Sequence, residues 1–167
     1  MNDNIINESG MSFHIEDKNT YQIEKSRFVT SLNGYHKVDF VTLSPDKRFI
    51  VLVEAKQSLA QNNSTELNHN LDEIMKKFHD TIEIINAINI RHNDRLEDEL
   101  GGLASCNFSR VDYACYLVVK NRTDDSLPHL SDMLKSKLTP FFKCWNIHDR
   151  CIKVFNEEKA RKKGIIA

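Results

Sequence analysis

Three charged residues stand where a strand has no use for charge. Asp39 interrupts the run Val38-Asp39-Phe40, and Glu54 and Lys56 close the run Phe49-Ile50-Val51-Leu52-Val53-Glu54-Ala55-Lys56. A buried charge without a partner is costly, so each must be paired, bind a metal or reach solvent. Glu54 and Lys56 are two apart, which puts them on one face of a strand. Ser44-Pro45-Asp46-Lys47 is a turn signature that folds the two runs into a hairpin. A two-residue loop sets Asp39 opposite Leu52, with Glu54 one diagonal away at roughly 7 Å. A four-residue loop sets Asp39 directly opposite Glu54 at roughly 5 Å. Either register shares the face, whereas a three- or five-residue loop separates the carboxylates. Two carboxylates that close raise each other's pKa. A divalent cation removes that penalty, and hard oxygen ligands with open positions suit Mg²⁺ or Mn²⁺. A lysine two residues on can hold or deprotonate an attacking water, or stabilise charge on a phosphate. The chemistry is metal-assisted phosphodiester hydrolysis.

The elements that must hold these residues are legible around them. Residues 48–56 are apolar on both faces, with Ile50 and Leu52 on one and Phe49, Val51 and Val53 on the other. Such a strand sits centrally in a sheet covered on both sides. Leu67, Leu71, Ile74, Met75, Phe78, Ile82, Ile85 and Ile88 recur at helical spacing, which predicts one long amphipathic helix over 65–89. Asn63 and Glu66 have capping-box spacing for its start. Residues 91–99 are charged, and Gly101-Gly102 breaks any helix there. Residues 111–120 read as a second buried strand, 127–138 as a shorter helix, and 141–155 as one or two late strands. Ahead of the hairpin, the pattern suggests a short helix over 21–27 and a strand over 28–32. Residues 1–20 read as a polar N-terminal arm with a short strand at 12–15, and 157–167 as a charged C-terminal tail. One α/β domain over 21–156, built on a mixed sheet flanked by helices, is the expected architecture.

Val38-Asp39, a hairpin and then Val53-Glu54-Ala55-Lys56 resemble the core of the PD-(D/E)xK nuclease superfamily, the restriction-endonuclease-like group. The resemblance implies an α-β-β-β-α-β core and cleavage of DNA with Mg²⁺ or Mn²⁺. It makes Asp39 and Glu54 metal ligands, assisted by the carbonyl of Ala55, with Lys56 acting on the water. It adds an acidic residue from the first helix, Glu24, with Glu16 as the fallback. It adds a glutamine after the lysine, Gln57 or Gln61, near the substrate. Where the family carries proline before the aspartate, this chain has Val38. The resemblance implies DNA as a partner, a setting in bacterial or phage defence or DNA processing, and a homodimer or protein partner supplying specificity. Two rival readings use the same residues. In one, Asp39 and Lys56 form an ion pair at a sheet edge with Glu54 solvated. In the other, the fold is a non-catalytic scaffold or interaction subunit.

Composition narrows the rest. The 167 residues carry 23 basic and 24 acidic side chains, a net charge of −1, which excludes a globally basic nucleic-acid binder. No apolar run approaches the ~20 residues of a membrane span. The N-terminus lacks a basic patch and a long apolar core, so the expected compartment is the cytoplasm. Cys106, Cys115, Cys144 and Cys151 form no C-x-x-C pair and read as reduced thiols. Cys144, His148 and Cys151 match no strong zinc spacing. No phosphate-cradling glycine motif is present, so ATP or dinucleotide binding is not indicated. Lys159, Arg161, Lys162 and Lys163 form the basic cluster best suited to phosphate contact.

Overall fold

The computed structural model describes residues 3–16, 19–62, 64–91, 100, 103–104 and 106–166. The expected charged stretch and Gly101-Gly102 break, apart from Arg91, lie outside the described residues, as does Asn63 of the expected capping box.

The chain is an α/β fold on a five-stranded mixed sheet. In sheet order its strands are β3 (Thr20–Tyr21), β4 (Phe40–Leu43), β5 (Phe49–Lys56), β6 (Asp112–Val119) and β7 (Ile152–Asn156). β3, β4 and β5 run antiparallel, and β5, β6 and β7 run parallel. The parallel pairs need crossovers, supplied by helices α2 (Thr65–Arg91) and α3 (Leu127–Cys144). β5 lies in the centre, as its two apolar faces require. Ile50 and Leu52 pack toward α2 and α3, and Val51 and Val53 pack on the other face.

That other face is covered by elements that the polar composition of the two termini disguises as an arm and a tail. β1 (Asp3–Glu8) and β2 (Met11–Glu16) form a separate hairpin. Ser9 and Gly10 turn it with φ of 51° and 71°, the left-handed pair that a two-residue hairpin loop demands. Phe13 is wholly buried and meets Phe40 edge-on at 5.2 Å. The polar residues of 1–20 hid an alternation in which Ile6, Met11, Phe13 and Ile15 all point inward. The tail likewise winds into α4 (Glu157–Lys162), and Ile166 pairs with Phe13.

Three more boundaries moved. The expected helix-then-strand over 21–32 is reversed: β3 comes first, then a 3₁₀ turn at Ile23–Lys25 and the single turn α1 (Arg27–Thr30). Ser26 causes this, since its hydroxyl accepts the Val29 N–H at 3.2 Å and its carbonyl accepts the Thr30 N–H. α3 runs through Pro140 to Cys144, because burying Phe142 extends the stripe of Leu130, Leu134 and Leu138. Only β7 remains of the late strands. α2 is capped by Ser64, whose hydroxyl accepts the Leu67 N–H at 3.0 Å. Ser64→Ala should lower the unfolding free energy by about 1 kcal/mol, measured by urea denaturation.

Candidate metal and catalytic site

The β4–β5 loop fixes the geometry of the site. Pro45 opens the turn, and Lys47 closes it with φ of 54°. Ser44 N–H donates to the Phe49 carbonyl at 2.9 Å, leaving four residues in the loop. The ladder then pairs Phe40 with Val53, so Asp39 falls opposite Glu54. This is the closer of the two registers that share a face.

β4 ends at Phe40, and beyond Val53 the β4 side of β5 has no strand partner. Two side chains there satisfy the main-chain N–H and carbonyl of Ala55, a buried residue. Its N–H donates to Asp39 Oδ2 at 2.6 Å, and its carbonyl accepts the Ser9 hydroxyl at 3.0 Å. The hairpin tip is also held by Lys120 Nζ, which donates to the Gly10 carbonyl at 2.7 Å. Asp39 is therefore locked by a main-chain donor, and the Ala55 carbonyl lies at the β1–β2 turn.

Glu54 points under α2 and is fully buried. Its Oε1 is 2.7 Å from Lys77 Nζ and 2.9 Å from Lys56 Nζ. Its Oε2 is buried and has no hydrogen-bond partner among the described residues. The ion-pair reading is thereby corrected: Lys56 pairs with Glu54 rather than Asp39, and Glu54 is not solvated. Burial, then the charge of Asp39, push the Glu54 carboxyl up to about 7 against the pull of the two lysines. Burial also raises Asp39, although the Ala55 N–H and both lysines oppose it. Burial works against the charge on Lys77, yet Glu54, Asp39 and Glu24 together carry its pKa above the ordinary lysine value.

Glu24, at the 3₁₀ turn, is exposed as a residue, yet its carboxyl is raised by partial burial and by Asp39. Glu8, at the end of β1, is raised by burial and then by Asp39 and Glu24. Glu8 is thus a further carboxylate of this neighbourhood that the sequence did not announce. Glu16 lines a cavity on the opposite face of the sheet. Gln57 and Gln61 are exposed in the loop after β5, where their carbonyls accept main-chain N–H groups from Asn121 and Ser64.

The sequence offers Lys77 only as a basic group of the long helix that could contact phosphate or lie solvated; its pairing with Glu54 was not legible, because a lysine bordering the apolar stripe of α2 is ordinary. Its register, one position before the buried Phe78, was the available signal. The same helix anchors the approach to Asp39: Asp80 Oδ2 accepts the His36 N–H at 2.8 Å, and Thr81 Oγ1 accepts the Val38 N–H at 3.1 Å.

The donor set fits a hard divalent cation in chemistry. Asp39, Glu24 and Glu8 offer carboxylate oxygens, and Glu54 Oε2 is a buried acceptor with nothing to accept. The set is not drawn together as a finished cage. Among the described residues, the metal-ligating trio with ligand atoms within 4.8 Å of one another is His79, Asp80 and Glu83. The C-terminal basic cluster is largely neutralised: Lys159 faces Asp124 at 3.4 Å, Arg161 faces Glu157 at 3.1 Å and Lys162 faces Glu158 at 2.5 Å. That lowers its value as a phosphate contact. All four cysteines are free thiols. No described helix is long and apolar enough to cross a membrane. No protein-family model matches the chain, and no curated protein or solved structure matches it either.

Proposed function

We propose that the chain is a divalent-metal-dependent nuclease that hydrolyses DNA phosphodiester bonds in the manner of PD-(D/E)xK enzymes. One observation carries the reading: at the open end of the central strand, Asp39 lies opposite a buried Glu54 whose Oε2 has no partner, with Lys56 on the same carboxylate. Asp39 and Glu54 would hold Mg²⁺ or Mn²⁺, with Glu24 and the Ala55 carbonyl beside them. Bound there, the ion would act as a Lewis acid toward a phosphate oxygen and acidify a water. Lys56, partly exposed, has N–H donors beyond the one on Glu54, so it can orient the attacking water and stabilise charge on the phosphate. Lys77 holds Glu54 Oε1, which leaves Oε2 as the free ligand atom. DNA as substrate, and a second copy or another protein as the source of specificity, belong to the same proposal.

The rival reading, a non-catalytic scaffold, also has an observation behind it. Two lysines and the Ser9 hydroxyl already occupy Glu54 Oε1 and the Ala55 carbonyl. The deciding experiment is cleavage of plasmid and single-stranded DNA by the purified protein in Mg²⁺, Mn²⁺ or EDTA, alongside calorimetric Mn²⁺ titration. Cutting that requires metal supports the nuclease. For a chain that does not cut, Mn²⁺ heat that disappears in Asp39→Asn keeps a metal site and points to a missing partner. Absence of both cutting and Mn²⁺ heat establishes the scaffold.

A further inference from the structure

The two faces of the sheet are covered unequally. α2 and α3 cover one, while β1–β2 and α4 leave a cavity of about 720 Å³ on the other. Its floor is aromatic, built from Phe40, Tyr116 and Phe155, with the last two edge-to-face at 5.3 Å. Its rim carries Lys47, Lys153 and Lys163, all exposed. Among the described residues none of the three is held in an ion pair. Lys153 Nζ stands 5.5 Å over the Tyr116 ring. Among the described residues of the lining Glu16 is the one acidic side chain, and it accepts from Asn19 Nδ2. The opening therefore has a positive surplus above an aromatic floor. Its volume falls within the ~300–1,000 Å³ of small-molecule sites. It opens on the face of the sheet opposite the Glu54 carboxylate. The cavity lies on the Val51 and Val53 face, near the β4–β5 loop, whereas Glu54 points to α2 from the far end of β5.

We propose that this cavity binds a small aromatic anion. The ring would lie on Phe40, Tyr116 and Phe155, and the phosphate or carboxylate would meet the lysine rim. An aromatic face against aromatic edges favours a flat ring over a flexible chain. Three exposed ammonium groups favour a negative head group over a neutral one. The inference is independent of the nuclease reading, since it uses none of that site's residues.

The test is titration of the full chain with 8-anilinonaphthalene-1-sulfonate, an aromatic sulfonate that brightens in apolar surroundings, with calorimetry for the stoichiometry. One dye per chain is expected. Lys153→Glu/Lys163→Glu should weaken it about tenfold or more, and Lys76→Glu, on the exposed side of α2, should leave it unchanged. The uncharged analogue N-phenyl-1-naphthylamine should not respond to the double reversal. Ile165→Trp, which fills the cavity wall, should exclude the dye while circular dichroism and the melting temperature stay as in the wild type. Several dyes per chain, no binding, or an equal loss in Lys76→Glu would overturn the proposal. Displacement by laurate as effective as by 1-naphthoate would overturn its aromatic part.

Discussion

Lys56→Ala is expected to lower metal-dependent DNA cleavage by roughly 10²- to 10⁴-fold, the usual worth of one positioned proton-transfer or charge-stabilising group. The fold should survive, because Lys56 is partly exposed at the end of β5 and Lys77 still neutralises Glu54. Lys56→Arg should not rescue the rate. Guanidinium keeps the charge but cannot give up a proton at working pH, and its planar fork does not fit the reach of an ammonium. The measurement is single-turnover nicking of plasmid, with Mn²⁺ calorimetry on each variant. Unchanged Mn²⁺ affinity beside lost cutting places Lys56 on the water and phosphate. Cutting that persists in Lys56→Ala removes the residue from the mechanism and points to another site or to a contaminating nuclease.

The second large effect concerns the charge balance under α2. The fold pushes the Glu54 carboxyl up to about 7 from its ordinary value of 4.5. A carboxyl raised in the fold stabilises most when protonated, so its contribution is complete below the unfolded value and is lost as pH climbs through the folded one. Asp39, Glu24 and Glu8 are raised as well and act in the same sense. The metal-free protein should therefore unfold more easily at pH 8 than at pH 5. Glu54 alone contributes on the order of 3 kcal/mol to that difference. On the proposed metal site, saturating Mn²⁺ should shrink the gap, since the ion would bind the deprotonated carboxylates of the folded state. Lys77→Met tests the cause. It keeps an apolar stem of similar length but leaves a buried carboxylate with one cation instead of two. The expected loss is about 3 kcal/mol at pH 8, at the lower end for breaking a buried pair, and it should fade toward pH 5 as Glu54 takes up its proton. Urea denaturation at the two pH values decides the matter. A deficit of equal size at both would mean that Lys77 contributes only its packing.

Much of the site could be read from the chain because it depends on local periodicity. Alternation along 49–56 set which residues share a face, but the Pro45-Asp46 turn left open both the two- and four-residue loops that bring Asp39 to the face of Glu54 and the three- and five-residue loops that do not; the fold takes the four-residue one. The helical stripe from Leu67 to Ile88 and the parallel pairing of β5 with β6 followed from the same patterns. The loop length itself was settled by Ser44, whose hydroxyl accepts from Arg48 and Phe49 and widens the turn to four residues.

Other features depend on residues far apart in sequence, and no local pattern announces them. Lys77 reaches Glu54 across 23 positions, and Ser9 reaches the Ala55 carbonyl across 46. Residues 1–20 read as a polar arm with a short strand at 12–15 because so many of their side chains are polar. In β2 the polar positions alternate outward, and Met11, Phe13 and Ile15 find an apolar sheet face that only the assembled strands create. Sequence by itself determined the α/β class, the central strand and the shared face of Glu54 and Lys56, while the register of the hairpin brought Asp39 opposite Glu54. Tertiary packing alone decided that Glu54 would be buried beneath two lysines, that a hairpin tip would hold the Ala55 carbonyl, and that a cavity would remain on the opposite face. The physical reason is that periodicity specifies which way a side chain points, while burial and charge pairing depend on what another part of the chain brings to meet it.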